Sequence, residues 1–179
     1  MHSLHGFIAI EDVAREFEHG FNEGTPPQAK SIGLPQGFGL VPMTPQLRER
    51  LAKVTDEADT PHAEFSELTT SAMWVANMLS QVGKVVYIQT DSETGHDAAI
   101  VWEFGEVIFA PKQSTADEPS AVNEALKLLG VTVDSKADEF AELGLADHPS
   151  IDEWYKAALA YQMKIEPVVF EDDFFQEES

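Results

Sequence analysis

The segment Ala98–Pro111, AAIVWEFGEVIFAP, constrains the fold more than any other stretch. Two apolar runs meet at Phe104-Gly105, with Glu103 and Glu106 facing each other across the tip. A two-residue loop places Trp102 opposite Val107, Val101 opposite Ile108 and Ile100 opposite Phe109. Both faces of the ribbon are then apolar. An antiparallel pair with one wet face alternates polar and apolar residues, so this ribbon is expected to be covered on both sides. Helices must supply the cover.

The flanking sequence offers them. Lys84–Thr90 (KVVYIQT) is rich in β-branched and aromatic residues, and SETG after it forms a turn, which extends the ribbon to a three-stranded meander. Ser66–Gly83 places Leu68, Ala72, Val75, Leu79 and Val82 at helical spacing, while Met73, Trp74 and Met78 make it apolar over most of its girth. This predicts a central buried helix. Thr44-Pro45 opens another, with a hydroxyl at the cap and a proline where its missing N–H costs nothing. Gly6–Ile10 reads as a strand and Glu11–Phe21 as a helix. Asn22–Gly39, rich in proline and glycine, reads as a loop. PSAVNEALKLLG, Ser135–Leu143 and the capping box Ser150–Glu153 start three C-terminal helices. Pro167–Phe170 reads as a last strand, before the acidic segment EDDFFQEES. The expected fold is α+β: a small antiparallel sheet near 84–110 packed against several helices, in one domain over 1–179 with an acidic segment at 166–179.

Charge narrows the partners. Thirty-two acids against eleven bases give −21, far beyond the values usual for a small soluble domain. Such a field repels phosphates and anionic lipid and attracts cations over long range. No nucleic acid or membrane partner is expected; a cationic protein is. The absence of cysteine removes disulfides and thiolate chemistry and fits a reducing compartment. No run approaches the roughly 20 apolar residues of a membrane span, and the first residues lack the pattern of a signal peptide. These features predict a soluble, cytoplasmic protein.

Catalytic motifs are missing. His62-Ala63-Glu64 matches half of a zinc deaminase signature, but that chemistry needs two cysteines. His2, His5, His19, His96 and His148 have no close ligand spacing, so neither metal nor other cofactor is expected. Gly33–Gly39 is followed by Leu40–Met43 instead of a phosphate-binding helix, and no serine lies in a nucleophile elbow. The reading is a binding protein, not an enzyme. Its candidate contacts are the acidic clusters: Asp56, Glu57 and Asp59; Asp91, Glu93 and Asp97; Glu103 and Glu106; Glu171, Asp172 and Asp173. Any single cluster is adequately explained as a solvated surface that aids solubility. Together they favour a cationic counterpart, because self-repulsion at this charge destabilises the compact state.

The order of certain words carries a resemblance. V-V-Y-I-Q-T, then A-A-x-V-W (Ala98–Trp102), Gly105-Glu106, N-E-A-L-K-L-L-G-V (Asn123–Val131), D-E-F-A-E-L-G-L (Asp138–Leu145), His148 and Glu153-Trp154 follow one another along the chain. From about Lys84 to Trp154 the sequence resembles a bacterial family related to the immunity proteins of polymorphic toxins. That resemblance implies a cytoplasmic inhibitor that binds one cognate toxin, a basic one given the charge, with no catalytic residue. Two rival readings remain: a nucleic acid mimic that inhibits a DNA-binding enzyme, and a hydrolase or small-ligand binder whose pocket is assembled from distant residues.

Overall fold

A computed structural model describes residues 2–21, 28–55 and 58–165. Asp56, Glu57, Glu171, Asp172 and Asp173 lie outside them, as does the strand expected at Pro167–Phe170. The meander belongs to a larger sheet. Six strands, β1 (Ser3–Ile10), β2 (Ile32–Gly33), β3 (Phe38–Pro42), β4 (Val85–Asp91), β5 (His96–Glu103) and β6 (Glu106–Ser114), lie in the order β2-β3-β1-β4-β5-β6. Every neighbouring pair is antiparallel. The fold is α+β.

Helices cover both faces of the sheet. On one face α1 (Glu11–Phe21), α2 (Pro45–Leu51) and α3 (Thr70–Leu79) pack on Phe7, Tyr87, Ile100 and Trp102. On the other, α4 (Ala121–Leu129), α5 (Glu139–Glu142) and α6 (Ile151–Ile165) pack on Leu4, Ile8, Val86, Ile88 and Val101. A strand buried on both faces needs apolar residues in both registers, and β4 and β5 have them. Trp102, Tyr87, Ile88 and Ile100 are almost wholly buried. The caps follow the sequence. Thr44 Oγ1 accepts from the Leu47 N–H, Thr69 caps α3 and Ser120 caps α4. Ser150 Oγ accepts from the Glu153 N–H.

Four expectations require correction. The ribbon Ala98–Pro111 is covered on both sides only along β5; among the described residues β6 is the edge of the sheet, and most of it is exposed. Its register also slips: Trp102 faces Val107 as expected, but Val101 faces Phe109, leaving Ile108 in a β-bulge. The stretch Asn22–Gly39 includes β2 and the start of β3, and Ser135–Leu143 is helical only at Glu139–Glu142. There the Glu142 carboxylate accepts from the N–H groups of Asp134, Ser135 and Lys136, which fixes that backbone as a loop.

Candidate partner-binding surface

The tip of the β5–β6 hairpin has an unusual construction. Phe104 and Gly105 have φ values of 50° and 76°, the two consecutive positive values of a type I′ turn. That turn matches the twist of the strands, and asparagine followed by glycine suits it best. Here the first position is a phenylalanine, for which the left-handed region is a genuine outlier. The ring gains little cover in return, since Phe104 is 71% exposed. Glu103 and Glu106 face each other immediately below it.

The tip is also held firmly. The Phe104 N–H donates to the Ser80 carbonyl at 2.8 Å, and the Gly105 N–H donates to Ser80 Oγ at 2.9 Å. Asn77 Nδ2 donates to the Gly105 carbonyl at 2.7 Å. These bonds fasten the turn to the C-terminal end of α3, so the exposed ring stands on a rigid base. That end of α3 is apolar on its outward side. Trp74, Met78 and Val82, four residues apart along the helix and the turn after it, are 49%, 54% and 69% exposed. This corrects the expectation of a wholly buried helix: its inner face is made of Ser71, Ala72, Val75 and Ala76. Val107 and Ile108, on β6, the edge strand among the described residues, are about half exposed as well. Two fastened elements thus present six large apolar side chains beside two glutamates.

The other acidic clusters are placed differently. Asp91, Glu93 and Asp97 sit at the β4–β5 turn, at the opposite end of β5 from Glu103. At about 3.4 Å per residue the eight residues of β5 put roughly 24 Å between the two ends. Asp97 is engaged within the fold: its carboxylate accepts from Ser114 Oγ, Ser120 Oγ and the Ala121 N–H at the start of α4. The Glu93 N–H bonds the Asp91 carboxylate and is the main reason its pKa lies below the usual range. Asp59 serves α3 in the same manner as Asp97 serves α4, accepting from the Ser71 N–H and Thr70 Oγ1. The clusters therefore do not form one surface.

Beside the β4–β5 turn lies a cavity of about 220 Å³, bordered by Asp91, Asp97, Asp138, His2, His96 and Phe140 among others. Among the described residues no three His, Asp or Glu side chains converge closely enough to hold a metal ion. No described helix is long and apolar enough to cross a membrane.

Sequence reading missed the apolar part of the tip surface. The signal was Phe-Gly standing where Asn-Gly is the favoured pair. It also missed the cavity, whose walls come from four separate segments. Compared with known proteins, the chain matches no family model, no curated protein and no solved structure.

Proposed function

We propose that this protein is an immunity protein, an inhibitor that binds a cognate basic toxin through the β5–β6 tip and neutralises it by protein–protein contact. The observation that carries this reading is Phe104: an aromatic ring held in an unfavourable backbone conformation, 71% exposed, on a clamped turn between two glutamates. Strain of this kind persists where the surrounding structure enforces it, and it clusters at functional sites. Aromatic residues are enriched at the centre of tight interfaces, with polar groups at the rim. Trp74, Met78 and Val82 supply further apolar area, and the net charge of −21 accelerates encounter with a cationic partner.

The test is capture from the source cells at low and high salt with the wild type and with Glu103→Lys/Glu106→Lys. The expected result is one basic protein in near-equal amount, lost from the double variant and reduced by salt. Co-expression should then rescue cells from that protein. A partner retained equally by the charge-reversed tip refutes the role of the tip, and failure of rescue refutes inhibition.

A further inference from the structure

The cavity at the β4–β5 turn suits a ligand of defined chemistry. It lies on the α4 side of the sheet, the face toward which Leu4 and Val122 point. Thr90 lies opposite Leu4 and Asp97 in the strand register, so its side chain projects from that same face and forms part of the wall. It is 7% exposed, and its hydroxyl has no hydrogen-bond partner among the described residues. A buried hydroxyl is ordinarily bonded.

The surroundings set the charge of what would sit there. Asp91, Asp97 and Asp138 border the space together with His2 and His96, and among the described residues no lysine or arginine does. The Asp91 carboxylate accepts from the Glu93 N–H and is bonded by Thr94, and one oxygen of Asp138 accepts from the Ala141 N–H; a carboxylate has about four acceptor sites, so each retains capacity for another donor. The Phe140 ring, stacked on His2 at 5.3 Å, adds an aromatic surface, which favours cations. The acids are too dispersed to close on a metal ion. Dispersed acceptors suit a planar or extended cation with several N–H donors. At about 220 Å³ the space falls below the 300–1,000 Å³ or so of drug-sized ligands, which suits a small group.

We infer that this cavity binds a small organic cation, an ammonium or guanidinium group on a short chain, held by Asp91, Asp138 and the Thr90 hydroxyl against Phe140. Such a group belongs either to a free amine or to a lysine or arginine side chain of a protein. The inference rests on the cavity alone and needs no partner at the hairpin tip.

The experiment titrates the full chain with agmatine, and separately with Nα-acetyl-arginine N-methylamide, following backbone amide shifts by NMR. Saturable one-to-one binding is expected, with shifts concentrated at His2, Thr90, Asn123 and Phe140. Two double variants provide the control. Asp91→Asn/Asp138→Asn and Glu103→Gln/Glu106→Gln each remove two charges, and asparagine preserves both local backbone bonds. The first should weaken binding by about tenfold or more, and the second by less than about twofold. Thr90→Val should weaken binding without lowering the melting temperature, since the hydroxyl has no partner among the described residues. Equal affinity for both probes assigns the site to a protein side chain, and binding of agmatine alone assigns it to a free amine. Failure of both probes to saturate overturns the inference. So does equal weakening by the two double variants, which is the behaviour of diffuse counterions.

Discussion

Replacing Phe104 with asparagine should make the fold more stable while weakening partner binding. Phe104 has φ 50° at the first central position of a type I′ turn. A left-handed conformation costs an ordinary residue about 1–2 kcal/mol, and asparagine relieves much of this because its short polar side chain bonds locally. The opposing term is the cover lost with the ring. Full burial of a phenylalanine contributes about 1.5–3 kcal/mol, and at 71% exposure less than a third of that is at stake. Relief of strain therefore wins, by about 0.5–1 kcal/mol. In a chain of this length that raises the melting temperature by about 1–4 °C. Urea unfolding of Phe104→Asn and Phe104→Ala would measure it. Alanine removes the ring without relieving the backbone, so it should be neutral or slightly destabilising. Loss of more than about 0.5 kcal/mol in Phe104→Asn would show that the ring holds the fold together, and the case for an outward-facing anchor would fall.

Removing the clasp gives a second prediction. Asn77→Ala breaks the bond to the Gly105 carbonyl and should cost about 1 kcal/mol, with faster hydrogen exchange at Phe104 and Gly105 than at Val101. Unchanged exchange would mean that the turn is rigid without α3. The third concerns pH. Burial is the main reason the His5 pKa lies below 6.5; Glu67 opposes this, and Arg48 adds to it. A histidine kept neutral in the folded state binds its proton less readily than in the unfolded chain. Stability is then lost as pH falls below about 6.5 toward the folded value, where the loss levels off. His5→Gln should flatten that slope in denaturation curves between pH 7 and 5; an unaltered slope would assign it to other groups.

What the sequence disclosed and what it withheld have separate physical causes. Caps at Thr44 and Ser150 were legible because each depends on a hydroxyl and an N–H three residues on. The two-sided core was legible from VVYI and AAIVW. The strand at Phe38–Pro42 was not, because it exists through long-range pairing with Gly6–Ile10. Gly39, which made the stretch read as a loop, is required by a close crossing: a Cβ there would lie 2.9 Å from that of Ala14 in α1. The edge position of β6 did leave a mark. Pro111 and Lys112 are the residues that blunt an edge strand, but the apolar run before them outweighed it. The exposed side of α3 left none, because Trp74 and Met78 satisfy helical spacing whether they face a core or a partner.

The acidity of the chain divides along the same line. Part of it has work inside the fold. Asp59, Asp97 and Asp138 bond N–H groups at the starts of α3, α4 and α5, and Glu142 bonds three in a loop. Others pair with the few bases, as in Arg48–Glu67, Lys30–Glu18 and Lys112–Glu124. Carboxylates at helix N-termini are stabilising, so a high acid count is partly a consequence of how these helices are capped. Glu103 and Glu106 have no such role. Among the described residues neither has a salt bridge to a base or a hydrogen bond from a neighbouring side chain, and they face each other as like charges, which costs a fraction of a kcal/mol. The strained turn adds its own cost at the same place. Two unfavourable terms meet on one exposed tip, the like charges met by no base among the described residues and the strain held in place by the bonds to Ser80 and Asn77, and this distinguishes the cluster from the rest. A basic partner with an apolar pocket would offset the first by charge and accept the ring that the second holds out.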